Sequence, residues 1–190
     1  MASTGYGAVE LHQADSIEDR IKLIGQQVDA SQKDPYIRAV AFDIVRGGPE
    51  PHGSADMDYV EDVELAQIFY FTKNNIEYRD EGRDYDAFSV GRRTMEMRAG
   101  DCDDHAILVA GLLSNLGYLT GAKVISPDGQ NWHIYPVAGT RSKHNPTLIV
   151  PLDTTQKADS YPGWEPPMYQ RQHELLATFT GGRTLIRRIQ

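Results

Sequence analysis

The sequence holds one cysteine, Cys102, among 190 residues. A lone cysteine cannot close an internal disulfide, so the fold is expected to stand without an oxidising compartment. Long apolar runs are missing as well. The longest, Ala106 to Leu113, is far too short to span a bilayer. Met1-Ala2-Ser3-Thr4-Gly5-Tyr6 offers neither a basic n-region nor an apolar h-region, so no signal peptide is expected. Basic charge is scarce: 19 Lys and Arg face 27 Asp and Glu, for a formal net charge of −8. That balance argues against nucleic acid or an anionic membrane as the main partner. Arg183, Arg187 and Arg188 are too few to reverse it. No internal repeat or low-complexity tract is evident. The expectation is a soluble chain made in the cytoplasm, long enough for one sizeable core with appended segments.

Taken in order, residues 1–14 are small and polar. A first helix is expected from a capping box of Asp15 and Glu18, with Ile17, Ile21, Ile24 and Val28 on one face. Asp34-Pro35 reads as an N-cap followed by proline at the first helical position. Ile37, Val40, Ala41, Ile44 and Val45 then form a second stripe, closed by Gly47-Gly48. Residues 47–58 read as a loop. His52, Asp56 and Asp58 lie there, but their spacing matches no metal-ligand pattern. A third helix is expected over about 59–76, apolar on several sides and therefore buried. Residues 80–94 read as a polar surface loop.

The stretch Arg98-Ala99-Gly100-Asp101-Cys102-Asp103-Asp104-His105 holds the cysteine and leads into an apolar helix. Asp101 is a good N-cap, and Gly117 a natural stop. Cys102 is then the first helical residue, heading a stripe of Ala106, Val109, Leu113 and Leu116. The positive end of a helix favours thiolate, whereas three neighbouring aspartates oppose it. A lone cysteine can equally be a small core hydrophobe.

Beyond the helix the period becomes strand-like: Ala122–Ser126, a turn at Pro127-Asp128-Gly129-Gln130, Trp132–Val137, and Leu148–Asp153. Pro136 suggests an edge strand or a bulge. If the connection 139–147 is centred on residue 143, His133 lies opposite Asp153 and both point to one face. An imidazole beside a carboxylate is the orienting pair that a nucleophile needs. His133 could take the thiol proton from Cys102, and Asp153 could fix the ring tautomer. In the tail, a helix is expected over Met168 to Ala177 and a final strand after Gly181-Gly182.

Gly100-Asp101-Cys102-Asp103-Asp104, an apolar helix ending Leu116-Gly117-Tyr118, then His133 and Leu152-Asp153 on successive strands resemble the transglutaminase-like superfamily. The order Cys, His, Asp agrees, and so do the separations. The resemblance covers roughly residues 60–165. It is strongest to the small members encoded by tailed bacteriophages and prophages, which often carry a later segment like Gly163-Trp164-Glu165-Pro166-Pro167. It implies an α+β, papain-like core whose central helix starts at the cysteine and packs on an antiparallel sheet. N-terminal helices precede that core. The division implied is an N-terminal helical extension (1–50), the transglutaminase-like core (55–165) and a C-terminal extension (166–190). The catalytic residues implied are Cys102, His133 and Asp153, with no cofactor and no metal. The chemistry implied is a thioester formed from a peptide or isopeptide amide and resolved by water or an amine. Peptidase, transglutaminase and deamidase remain open. The partners implied are a protein or peptide substrate and other phage structural proteins. A phage-encoded protein would be made in the host cytoplasm and could enter the virion, where binding rather than catalysis is the alternative role.

Other residues are weighed beside these. His105 could share a face with Cys102 but is read as solvated. Asp103 and Asp104 are read as dipole and cap residues, and His144 and His173 as surface residues. Trp132 either shields His133 or is a packed sheet aromatic. Asn74, Asn75 and Tyr78 are candidate second oxyanion donors beside the Cys102 N–H. Calcium lacks an EF-type closing glutamate, and zinc lacks a closed ligand set.

Overall fold

A computed structural model describes residues 16–48, 57–79, 90–143, 145–156 and 160–189. Asp15, His52, Asp56 and His144 lie outside the described residues. The elements in order are α1 (Ile17–Lys33), α2 (Pro35–Val45), α3 (Met57–Asn75), β1 (Glu77–Tyr78), α4 (Gly91–Met97), β2 (Ala99–Gly100) and α5 (Cys102–Asn115). The strands β3 (Thr120–Ser126), β4 (His133–Thr140), β5 (Leu148–Pro151), β6 (His173–Thr180) and β7 (Arg183–Ile189) follow. They form one antiparallel sheet in the order β5-β4-β3-β6-β7. The expected α+β architecture is therefore present: a helix opening at the cysteine lies on an antiparallel sheet behind N-terminal helices. No helix among the described residues is long and apolar enough to cross a membrane.

Local chemistry explains the ends of the helices. α1 is capped by Ser16, whose Oγ accepts from the Asp19 N–H, so the expected Asp15–Glu18 box is not the cap observed. Asp34 caps α2 through the Tyr36 N–H, with Pro35 in the first turn as read. α5 begins on Asp101, which accepts from the N–H groups of Asp103 and Asp104. It ends in a left-handed Gly117. There Tyr118 N–H donates to Leu113 O and Gly117 N–H to Ser114 O, the paired closure that a glycine after a helix permits.

α5 is buried from Asp103 to Leu113, with neighbours on every side. On one side Ala106, Ile107 and Ala110 pack with Ile21, Ile24 and Val28 of α1 and with Ala122, Val124, Ile134, Leu175 and Ala177 of the sheet. On the other, Leu108, Val109, Leu112 and Leu113 meet Ile37 and Ala41 of α2 and Leu65, Ile68 and Phe69 of α3. Burying each of the larger side chains is worth about 1.5–3 kcal/mol, so α1 and α2 as well as the sheet hold α5. Residues 166–190, set apart in the sequence, supply β6 and β7 to the same sheet.

Three expectations are corrected. The segment 168–177 is not helical: a single 3-10 turn at Met168–Gln170 precedes β6. Leu175, Ala177 and Phe179 alternate onto the core face while Leu176 faces the opposite cluster, which is strand periodicity. Gly181 and Gly182, both at positive φ, close the β6–β7 hairpin. Pro136 lies in an interior strand, not at an edge. Its carbonyl accepts from Leu152, just past the end of β5, so its missing N–H falls where the ladder stops. The 80–94 stretch, read as loop, contains the start of α4, whose Gly91 N–H donates to the buried Ser31 Oγ of α1.

Candidate active site

The cysteine turn is shaped by its neighbours before any chemistry is considered. β1 pairs parallel with β2, placing Tyr78 opposite Gly100. Gly100 is buried against Asp104, where an added Cβ would lie 2.5 Å from the Asp104 Cβ. Only glycine fits there, which is a steric reason for the Gly-Asp-Cys-Asp-Asp pattern. The turn delivers Cys102 to the first position of α5, half-buried, with its sulfur against the start of β4. The Ile134 backbone N–H donates to that sulfur. Ile134 adjoins His133, so the thiol sits one residue away from the histidine along the strand.

His133 and Asp153 are brought together. His133 Nε2 lies 2.8 Å from Asp153 Oδ2. The register differs from the expected one by two residues. Val137 faces Pro151, so extending β5 would set Asp153 opposite Tyr135. A two-residue slip preserves the face because strand side chains alternate with period two, and the imidazole spans the diagonal. Asp153 is wholly buried, and its Oδ1 accepts from both the N–H and the Oγ1–H of Thr155. Burial pushes its carboxyl up. The hydrogen bond and charge of His133, with those from Thr155, outweigh burial and hold it below the usual carboxylate value.

Burial pushes the Cys102 thiol well above its ordinary value, and the charges of Asp103 and Asp101 add to that. The Ile134 N–H and Arg20 oppose them without prevailing. Its side-chain hydrogen bond runs to Asp103 Oδ1 at 3.8 Å rather than to His133. Asp103 is more than a dipole residue. Its Oδ2 receives Arg20 Nη2 at 2.6 Å and Nε at 3.0 Å, tying α5 to α1. The gap beside this group, about 10 Å³ and bordered by Ile17, Arg20, Asp103, Trp132 and His133, holds at most about one water. Trp132 packs into the α1–sheet core and meets the His173 ring edge-on at 6.4 Å, so it behaves as a packed sheet aromatic beside the histidine.

His105 is not solvated. It is 1% exposed, with Nδ1 2.8 Å from Thr154 Oγ1 and its ring 6.3 Å from that of Tyr78. Burial pushes its pKa down to about 4 against the smaller pull of Asp153 and the Glu77 carbonyl. A buried, neutral imidazole joined to Thr154 braces the segment that carries Asp153. Among the candidate oxyanion donors, Asn75 spends its amide on the Phe71 carbonyl of its own helix and Asn74 is exposed. Tyr78 is the one on a strand paired with the cysteine turn. Asp101, Cys102 and Asp103 bring three donor atoms within 4.8 Å of one another. Asp101 already caps α5 and Asp103 already holds Arg20, so the set has structural partners in place of an ion.

A larger cavity lies elsewhere. It has a volume of about 350 Å³ and opens on the sheet face away from α5, over Gly121, Val137, Leu176 and Leu185. The chemistry-bearing residues do not border it, so its size says nothing about the thiol site.

No family model matches the sequence, and no curated protein matches it. Two solved structures are similar in part. One is a candidate cysteine protease from Cytophaga hutchinsonii, 16% identical, covering 90% of this chain and 56% of its own, with a TM-score of 0.49. The other is a candidate protease from Parabacteroides distasonis, 11% identical, covering 70% of this chain and 29% of its own, with a TM-score of 0.48. The chain thus spans about half the length of the first and less than a third of the second.

Arg20, Thr154 and Thr155 are the site residues that sequence reasoning missed, and His105 is the one it misread as solvated. Thr155 had a local signal, since an aspartate commonly accepts from the backbone two residues on. Arg20 had none, because its partner lies 83 residues away.

Proposed function

We propose that the protein is a thiol acyl-transfer enzyme acting on peptide or isopeptide amides. In this reading Cys102 is the nucleophile, His133 the base and Asp153 the orienting carboxylate. The observation that carries it is the His133–Asp153 hydrogen bond of 2.8 Å at the strand end where the cysteine sulfur also rests. Nε2 donates to Asp153, which leaves Nδ1 as a lone pair. The thiol gives its proton to Nδ1 as sulfur attacks the carbonyl carbon. The imidazolium returns that proton to the leaving amine, and a thioester remains on Cys102. The Cys102 backbone N–H, at the open end of α5, is one donor for the developing oxyanion. Water then releases an acid, or an amine releases a new amide.

Incubation with p-nitrophenyl acetate tests this. The expected result is a hydroxylamine-labile adduct on Cys102, seen by intact mass, forming much faster than on the urea-unfolded chain. Release by an added primary amine rather than water would mark a transferase. Acylation no faster than in the unfolded chain would sink the enzyme reading. A second reading, a phage virion or assembly component that binds through this fold, draws on the thiol's hydrogen bond to Asp103 and on the smallness of the gap beside it. That outcome would favour it.

A further inference from the structure

We propose that Arg20, on α1, is a positioning residue for Cys102 and acts through Asp103. This rests on the reading of Cys102 as the nucleophile. Arg20 lies outside the stretch that carries the family resemblance, and it reaches the cysteine turn only because α1 packs along α5. Its Nε and Nη2 both donate to one oxygen of Asp103, Oδ2. That fixes the carboxylate so that Oδ1 points at the thiol. The Asp103 side chain is 6% exposed and that of Arg20 29%, so solvent screens the pair poorly and the compensation of charge is felt by the sulfur.

Among the described residues, α5 brings Asp101 and Asp103 to bear on the sulfur, α1 brings Arg20, and β4 donates the Ile134 N–H, one residue along from His133. A thiolate formed at Cys102 would meet two carboxylates. Arg20 is the permanent cation among these groups, since the charge on His133 comes and goes with the transferred proton. Its guanidinium partly offsets the nearer carboxylate. It also holds that carboxylate in place as the negative charge develops. Arg20 therefore sets how readily Cys102 gives up its proton, while His133 receives it.

The test is the pH midpoint of Cys102 alkylation by iodoacetamide, followed by intact mass. Arg20→Met should raise the midpoint by about one pH unit, which is about tenfold slower labelling at a fixed pH below it. Asp103→Asn should lower the midpoint, because the cation remains and the anion is gone. The double variant should return close to the starting midpoint. Arg20→Lys, which keeps charge but loses the fork, should fall between Arg20→Met and the unaltered protein. A purely structural role predicts no such cancellation of opposite shifts. Thermal melts establish that each variant is folded. If Arg20→Met fails to fold, Arg20→Lys and Asp103→Asn carry the test through their opposite shifts. A common midpoint for all folded variants, or a double variant that keeps the full Arg20→Met shift, overturns the proposal. Failure of the triad reading looks different: His133→Ala would then leave alkylation unchanged whatever Arg20 does.

Discussion

Asp153→Asn should cut the rate of Cys102 acylation by on the order of a hundredfold or more while leaving the protein folded. Asp153 is an acceptor on both oxygens. Oδ1 takes the Thr155 N–H and Oγ1–H, and Oδ2 takes the His133 N–H. Asparagine fits the same space but owns one acceptor and one donor group. Thr155 offers two donors, so the amide oxygen is drawn to it and the NH₂ is left facing His133 Nε2. The imidazole must then accept at Nε2 and carry its proton on Nδ1. That is the wrong tautomer for receiving a proton from the thiol. Stability should change little because every polar group keeps a partner. Asp153→Ala is the contrasting case. It leaves three donors without an acceptor at a wholly buried position, at a cost of about 3 kcal/mol or more. Acylation kinetics and a denaturant melt on both variants check the pair. Unchanged acylation in a folded Asp153→Asn protein would remove Asp153 from the mechanism.

The second large effect is on acid stability, and it comes from His105. Burial holds this imidazole neutral, with its pKa pushed down to about 4 from an ordinary 6.5. As pH falls below 6.5 the unfolded chain takes up a proton that the folded protein refuses. Stability is therefore lost between about 6.5 and 4 and is flat with respect to this group below that. A drop from 6.5 to about 4 corresponds to roughly 3 kcal/mol, a large share of a typical domain's stability. Asp153 acts lower on the scale. Its folded pKa lies below the ordinary carboxylate value, so it stabilises the fold above that value and the contribution disappears as pH falls through the folded one. Urea midpoints measured from pH 7 to pH 4 should decline, and His105→Asn should flatten that decline. The Thr154 hydroxyl that His105 engages keeps a partner in the asparagine amide. An equal slope in both proteins would contradict the assignment.

What could be read from the sequence depended on how local each signal was. α5 was legible end to end because Asp101, the apolar run and Gly117 are all short-range devices. The shared face of His133 and Asp153 was legible although the register was wrong by two residues, since the face depends only on parity. β6 was not legible. Gln-Arg-Gln-His-Glu-Leu-Leu-Ala carries no β-branched residue and is rich in helix formers, and from His173 on it is extended because β3 offers it a partner edge. His105 was misjudged because a histidine in the first turn of a helix is usually wet, whereas this helix is enclosed on all sides. The link from Arg20 to Asp103 had no local trace at all. It depends on the packing of α1 along α5, which no spacing in the chain announces.

Proton transfer from Cys102 to His133 is read out by the pH–rate profile of Cys102 alkylation in the unaltered protein and in His133→Ala. Near neutral pH the variant should be slower by about a hundredfold. The gap should close only at alkaline pH, where the thiol ionises without help. Superimposable profiles across the whole range would contradict it.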